Sequence, residues 1–428
     1  MEIAQAVTAI GLIVFLAYLF SALFQKTRIP DVLPLVLIGA LLGPVLGVAT
    51  KEHFGVVGPI FSIVTLVIIL FESGLNMKVS YLKEAALPAS ILGGLGFAMS
   101  LGIVMIVAMH FLELDWIHSL ILGSILGGTA ASITVPLLKA LNLSNEKTIT
   151  LMLESVIGNV LTIVVTMALM GALREDALRT HLVLSDIFVT FTFGCLLGAV
   201  FGLIWSLVIR RVRRVASAKF TTPACVCICY GLTEMCGFSG MMSALAFGIV
   251  LGNAKKIPFS SLAFSWGNPS SANSEEQAIF SEIVFLMKTF FFVYLGITLQ
   301  WLGIKVMMIG FFISLALFAV RPLAVRLALS NASTTVDEAT IASVLIPRGL
   351  ASSVLAAMAL TYGMQEGVML QNVAYSVIMI SIALTSVLAF LCEQGLLKRP
   401  YGLLFCGYQK DENGAARKRH DSIASEGA

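Results

Sequence analysis

The chain has 428 residues, of which 58% are hydrophobic and 12% are charged, and its net charge is only +3. A water-soluble protein of this length cannot cover its surface with so few charged side chains. The mean hydropathy of +0.96 is instead that of a membrane protein, and no nucleic-acid partner is predicted.

Apolar runs of about 20 residues recur along the chain, and this length crosses about 30 Å of hydrocarbon as an α-helix. The runs are continuously apolar rather than alternating, which argues against a transmembrane β-barrel. We therefore predict an all-α polytopic protein of the lipid bilayer with about thirteen transmembrane helices. The predicted spans are residues 5–24, 31–49, 58–75, 86–111, 117–138, 148–171, 182–209, 220–237, 239–253, 278–299, 303–330, 340–362 and 370–394.

Basic residues in the predicted loops indicate the orientation of the chain. They collect in alternate loops and after the last span, whereas the opposite loops hold only Lys51, Arg174, Arg179 and Lys305. The positive-inside rule then predicts a cytoplasmic C-terminus and an external N-terminus in the cell (inner) membrane. The first run lacks a basic start and a small-residue cleavage site, so it is predicted to be retained as a span.

The sixth span carries polar residues that a lipid-facing helix would not have. Glu154 lies well inside it, and an ionisable group at that depth costs roughly 2.5–3.5 kcal/mol on insertion scales. Ser155, Asn159, Thr162 and Thr166 follow at spacings of four, three and four, which places them in one stripe on a helix. We predict that this helix lines a pathway inside a helical bundle.

Two segments rich in Gly, Ala, Ser and Thr interrupt the apolar pattern, each with a proline nearby. They are GSILGGTAASITVP at residues 123–136 in span five and IPRGLASS at residues 346–353 in span twelve. Interrupted helices in matching positions of two inverted halves are the best sequence indication of a transporter's binding site. Freed carbonyls and half-helix ends can coordinate an ion there. Close helix packing through small residues is the alternative explanation.

Buried guanidinium groups need a partner, because an unpaired charge in the membrane is very costly. Arg321 and Arg348 both lie within predicted spans, and Glu154 is the natural partner of either. This pair would be structural, and a proton-carrying Glu154 is the alternative. Glu72, near the cytoplasmic end of span three, is either a loop anchor or part of an ion funnel.

The rest of the chain predicts no cofactor and no enzyme. The seven cysteines lack the spacing of metal ligands, so neither a metal site nor a disulfide is expected. We find no P-loop, nucleophile elbow or zinc-binding histidine pair. Residues 1–395 are predicted to be the membrane transporter domain, and residues 396–428, polar from Gln409 on, a disordered cytoplasmic tail.

Seven strings between about residue 30 and residue 390 together resemble, in the correct order, the monovalent cation/proton antiporter family, the sodium/hydrogen exchangers. The family segments that they resemble include an "ES..ND" motif and a "PRG" helix. The strings are FESGLN (71–76), TAASIT (129–134), LESVIGN (153–159), LTEMCGFSGMMSALAFGIVLGN (232–253), FFFVYLGITL (290–299), VRPLAV (320–325) and IPRGLASSVLA (346–356).

The resemblance implies an inverted-repeat antiporter fold with interrupted crossing helices. It also implies a homodimer that works by an elevator-like motion of a core against a dimerisation scaffold. The core helices would be those at about 86–171 and 303–394, and the scaffold helices those at about 5–75 and 220–299.

Individual residues can be matched to the family's motifs. Thr129 and Ser132 correspond to ligands in the unwound segment, Glu154 and Arg321 to a structural ion pair, and Arg348 to the arginine of the "PRG" motif. The candidate ion ligands are therefore Asn159, Thr129, Ser132, Ser155 and Glu154.

The sequence departs from the family at the ion-binding aspartate, where it has Asn159 preceded by Gly158. An asparagine can give an oxygen to Na⁺ or K⁺, but it brings no charge and cannot titrate. Dehydration of a cation is then poorly compensated unless another carboxylate takes part. The leading prediction is antiport of a monovalent cation (Na⁺ or K⁺) against protons, with Glu154 or Glu72 in the titrating role.

Two other functions remain open from the sequence. The first is a transporter of an anion or small neutral solute on the same scaffold, with hydrogen bonds from Asn159, Thr129 and Ser132 and a positive field from Arg321 or Arg348. The second is a non-transporting sensor, which is less favoured because the chain has no nucleotide-binding signature.

Overall fold

The structure is a computed structural model that is helical almost throughout the residues it describes. These are residues 2–27, 32–47, 49, 54, 57–77, 79–130, 133–134, 137–138, 141, 143–174, 180–213, 220–254, 274–298, 304–331, 333–361, 363–364 and 366–409.

The helices of the described residues follow the apolar runs of the sequence. Six of them are long and apolar enough to cross a membrane, and further apolar helices are shorter. In chain order they are α1 (Glu2–Thr27), α2 (Val32–Ala40, extended by a π-turn at Leu41–Val45), α3 (Val57–Asn76), α4 (Val79–Phe111), α5 (Trp116–Ile125), α6 (Asn145–Arg174), α7 (Thr180–Val212), α8 (Thr221–Met235), α9 (Gly240–Asn253), α10 (Ser274–Thr298), α11 (Ile304–Ala328), α12 (Val336–Val344), α13 (Leu350–Thr361), α14 (Gly367–Glu393) and α15 (Lys398–Leu404).

The predicted all-α membrane fold is confirmed, and each predicted span overlaps at least one of these helices. The count of thirteen transmembrane helices stays a prediction. Among the described residues, spans five and twelve are clearly interrupted: the fifth is regularly helical only to Ile125 before it breaks, and the twelfth is divided between α12 and α13.

Glycines allow close approaches between helices, as the contact between α3 and α9 shows. A Cβ atom at Gly74 of α3 would lie 2.3 Å from the carbonyl oxygen of Leu245 in α9, and one at Gly248 would lie 2.2 Å from that of Phe71. If Gly74 and Gly248 carried side chains, α3 and α9 could not pack at this distance. Phe71 and Phe247 fill the space beside this contact, with ring centroids 5.3 Å apart.

The breaks in spans five and twelve lie among helices other than α3 and α9. α4 packs against α5, α6 and α11, while α14 packs against α11 and α13. The division of the membrane domain into a mobile core and a dimerisation scaffold stays a prediction.

The prediction that the chain is disordered from residue 396 is wrong for its first part. Lys398–Leu404 form α15, and the chain beyond it packs against the bundle as far as Gln409. The sequence misled because KRPYGLL is short and basic, whereas Phe405 and Tyr408, only 1% and 6% exposed, anchor the segment. Residues 410–428 lie outside the described residues.

Candidate functional site

The first break follows α5. Asp115 caps the helix by accepting a hydrogen bond from the backbone amide of His118, and regular helix ends at Ile125. Residues 126–130 are not helical, as the glycines of ILGGTA favour, and they include Thr129. Ser132, the other predicted ligand from this segment, lies outside the described residues.

The second break separates α12 from α13 at residues 345–349. The two breaks cross in direct contact, since the backbone amide of Ala130 donates to the carbonyl oxygen of Pro347 at 2.7 Å. A Cβ atom at Gly349 would lie 2.4 Å from that of Ala130, so the crossing requires a glycine there. The predicted pair of interrupted helices is therefore present, and its members meet.

The guanidinium of Arg348 donates hydrogen bonds to backbone carbonyl groups at the first break. Its Nη1 donates to the oxygens of Gly127 at 2.8 Å and Gly128 at 2.6 Å, and its Nη2 donates to the Ser100 hydroxyl at 2.8 Å. The side chain is only 2% exposed. A helix C-terminus carries partial negative charge, which favours a cation at this position. The guanidinium of the protein itself is thus the cation bound at the end of α5.

Glu154 of α6 pairs with Arg321 of α11. Arg321 Nη1 lies 3.1 Å from Glu154 Oε1, and the two side chains are 4% and 3% exposed. Arg321 Nε also donates to the carbonyl oxygen of Ala342, near the end of α12. Of the two partners that the sequence offered to Glu154, the structure thus selects Arg321. Removing one partner of such a buried pair typically costs 3–5 kcal/mol.

Two hydroxyl groups complete the surroundings of Glu154. Thr129 Oγ1 lies 3.4 Å from Glu154 Oε1 and 3.1 Å from Ser155 Oγ, so it can bond to either. The second carboxylate oxygen of Glu154 is buried and has no hydrogen-bond partner among the described residues. Thr129, Ser155 and Glu154 therefore offer several oxygen atoms within one small region at the crossing.

Asn159 lies beside this region. Gly158 is the residue of α6 that packs directly on the first break, because a Cβ atom there would meet Gly128 at 3.4 Å and the Thr129 amide nitrogen at 3.5 Å. Asn159 is half-buried, and no residue that the structure describes hydrogen-bonds to its side chain. Thr166 continues the predicted stripe by bonding to Ser124 at 2.8 Å.

Glu72 is not brought to the crossing. It lies half-buried in the last turns of α3, where its Oε1 accepts a hydrogen bond from the Ser281 hydroxyl of α10 at 3.2 Å. The pocket at the crossing is lined instead by residues that include Ser100, Gly127, Thr129, Glu154, Arg321 and Arg348. Among all the residues that line it, Glu154 is the carboxylate.

Helix α4 also contributes to the site, which the sequence pattern did not reveal. A Cβ atom at Gly96 would lie 2.9 Å from Arg321 Nη1, and Ser100, one turn later, binds Arg348. Gly96 and Ser100 are four residues apart and share a helix face. This spacing was the available signal, but two small residues in an apolar span are also typical of ordinary helix packing.

A family model described as the transmembrane sodium/hydrogen exchanger matches residues 11–394. The chain belongs to this family. Sodium/hydrogen exchangers are cation:proton antiporters of the membrane, so the chain is a multi-pass member of a transporter family.

Named relatives within the exchangers differ in their ion. The chain is 25% identical over 384 residues to Na(+)/H(+) antiporter 1 of Methanocaldococcus jannaschii, which covers 85% of each chain. It is 29% identical over 193 residues to the K(+)/H(+) antiporter NhaP2 of Shewanella oneidensis, a match that covers 44% of this chain and only 33% of that relative.

A solved exchanger structure has the same fold. The sodium proton antiporter MjNhaP1 of Methanocaldococcus jannaschii at pH 8 superposes with a TM-score of 0.73 at 20% sequence identity. The superposition covers 90% of this chain and 100% of that one.

Proposed function

We propose that the chain exchanges a monovalent cation, Na⁺ or K⁺, for protons by alternating access at the crossing of the two breaks. The relatives named above are antiporters of Na⁺ or of K⁺, and the chain shares their family. The observation that carries the proposal is the single buried carboxylate of the pocket, Glu154, with one oxygen unpartnered beside two hydroxyl groups.

Glu154 is the group that we propose for the titrating role. The cation would take the free Oε2 of Glu154 together with hydroxyl oxygens of Thr129 and Ser155, with Asn159 and Ser132 as further candidate ligands. Hydroxyl groups have lone pairs for a cation, but only a carboxylate can balance its charge. Release of the cation would then allow a proton to bind the same carboxylate, which is the minimal requirement for exchange.

The test is flux in proteoliposomes that contain the purified protein. An outward Na⁺ or K⁺ gradient should drive proton uptake into the vesicles in exchange for the exported cation, and Glu154→Gln should reduce this signal to that of protein-free liposomes. Glu72→Gln is the matched control, because its carboxylate lies outside the pocket. Flux that survives Glu154→Gln but is lost in Glu72→Gln would transfer the role to Glu72.

Asn159→Asp tests the departure from the family. The added carboxylate should raise the apparent affinity for the cation, while the native chain should still exchange through Glu154. Sodium-coupled proton flux that is seen in the aspartate variant alone would show that the native site performs another function.

The inward-facing C-terminus, the inner-membrane location and the homodimer belong to the same proposal. Two native cysteines test the orientation, since Cys236 and Cys406 are both exposed in the structure. The predicted spans place Cys236 outside and Cys406 in the cytoplasm. In single-cysteine variants, a membrane-impermeant maleimide should label Cys236 in spheroplasts and Cys406 in inverted vesicles. Light scattering of the purified protein would test the dimer.

A further inference from the structure

The chain after the last long helix returns to the bundle. Lys398 forms a salt bridge with Asp337 at the start of α12. Eleven residues later the chain pairs with the residues around the start of α12: the Val336 amide donates to the Gln409 carbonyl at 3.1 Å, and the Gln409 amide donates to the Thr334 carbonyl at 3.3 Å. We call residues 398–409 the C-terminal strap.

The strap has a buried face and an exposed face. Phe405 and Tyr408 are 1% and 6% exposed, with ring centroids 5.2 Å apart, whereas Leu403 is 84% exposed. The Tyr408 hydroxyl donates to the carbonyl oxygen of Leu329 at 2.9 Å. Burial raises the pKa of this hydroxyl above its ordinary value of 10.0, although Arg326 opposes the shift, so the hydroxyl stays protonated and can donate at physiological pH.

The strap contacts the end of α11, which carries Arg321, and the start of α12, which leads towards Arg348. Leu329 directly follows α11, eight residues beyond Arg321, which is about 12 Å along a helix. Val336 is the first residue of α12, which leads into the break that holds Arg348. Arg321 also binds the Ala342 carbonyl of α12, so the relative position of α11 and α12 determines where both guanidiniums lie.

The start of α6 also contacts the loop between α11 and α12 and the first turn of α12. Lys147, only 5% exposed, lies 3.4 Å from the Ser333 hydroxyl, and the Ser144 hydroxyl donates to Glu338. α6 carries Glu154. The loop between α11 and α12 is thus the place where the three charge-bearing elements of the pocket are joined, and the strap covers it.

We propose that Phe405 and Tyr408 are positioning residues of the exchange site: by docking on the loop between α11 and α12, they hold Arg321 and Arg348 in the geometry that the bound cation requires. This inference rests on the function proposed above. Neither residue touches the pocket, so their effect must pass through the two helices.

Flux measurements on three variants test the proposal. Tyr408→Ala should raise the half-saturating cation concentration about fivefold, with the maximal rate per folded protein changed less than twofold. Tyr408→Phe, which keeps the ring and loses the hydrogen bonding of the hydroxyl group to the Leu329 and Arg326 carbonyls, should raise it about twofold, in line with the modest net value of such bonding. Leu403→Ala is the control in the same strap and should leave the value unchanged. An unchanged value in Tyr408→Ala, or an equal change in Leu403→Ala, would overturn the proposal.

Hydrogen exchange supplies a measurement that does not depend on transport. In Tyr408→Ala, the amides of residues 329–349 should exchange faster than in the native chain, while those of α9 should not change. If the native chain shows no cation flux, the proposed function fails, but this comparison still decides whether the strap holds the loop. Unaltered exchange at residues 329–349 would refute the claim that the strap stabilises the loop between α11 and α12. Faster exchange with unaltered cation dependence would reduce its role to stability alone.

Discussion

Breaking the buried ion pair from one side should destabilise the protein more than removing both charges. Arg321→Met leaves the Glu154 carboxylate 3% exposed, with the Thr129 hydroxyl 3.4 Å away as its remaining described partner. An uncompensated buried charge of this kind costs about 3–5 kcal/mol. The double variant Arg321→Met with Glu154→Gln removes that charge, and we expect it to recover about 2 kcal/mol, within the usual range for coupled neighbours.

The assay is unfolding of the purified protein by titration with sodium dodecyl sulfate in mixed micelles. Arg326→Met is the matched control, because Arg326 lies on the same helix but is exposed, and among the described residues its side chain donates to the Leu404 carbonyl. It should cost no more than about 1 kcal/mol, the net value of one ordinary hydrogen bond. If the double variant is destabilised by the sum of the two single effects, the charges are not coupled and the reasoning is refuted.

Two further substitutions test the crossing. Gly128→Ala would bring a Cβ atom within 2.7 Å of the Gly158 carbonyl oxygen, so it should greatly reduce the yield of folded protein. Gly102→Ala is the control and should be tolerated, because a Cβ atom there would have nothing within 4 Å. Equal yields of the two variants in fluorescence-detected size-exclusion chromatography would contradict the crossing geometry. Ser100→Ala removes one acceptor of the buried Arg348 guanidinium and should cost about 1.5–3 kcal/mol in the same detergent titration, and Ser100→Thr should retain most of that stability.

The parts of the site that follow from local chemistry could be predicted. The clusters of small residues with a nearby proline at residues 123–136 and 346–353 predicted both breaks, because glycine and proline together disfavour a continuous helix. The need of a buried guanidinium for a partner predicted that Glu154 would be paired. Composition alone predicted the all-helical membrane fold, since no other architecture satisfies the backbone across hydrocarbon in a chain with continuous apolar runs.

The parts of the site that depend on how the helices are placed relative to one another could not be predicted from the sequence. Glu154 had two arginines within reach by sequence, and only the position of α11 selects Arg321. The contact of Gly158 with the first break depends on the rotation of α6 by a fraction of a turn, which periodicity does not fix to one residue. The strap was missed because its buried residues, Phe405 and Tyr408, are too few to stand out in a polar segment.

The charges of the pocket lead us to expect that the residue at position 159 affects the proposed cation binding, although Asn159 is not among the residues that line the pocket. Arg348 is held by the carbonyls of Gly127 and Gly128 and by the end of α5, which leaves Glu154 to Arg321. A cation at the free oxygen of Glu154 would enter beside two guanidiniums, and like charges about 4 Å apart repel by about 4 kcal/mol at an effective dielectric constant of 20.

A carboxylate at position 159 would offset part of that repulsion, and an asparagine does not. The native chain should therefore bind its cation more weakly than the Asn159→Asp variant. Cation–proton exchange by the native chain should also be more sensitive than that of the variant to any change that moves Arg321 or Arg348. The reason is that the pocket lining contains no second carboxylate to offset the altered repulsion. Titration calorimetry of the two forms with NaCl and KCl would measure the first effect directly. Equal affinities would mean that the cation is not bound next to position 159.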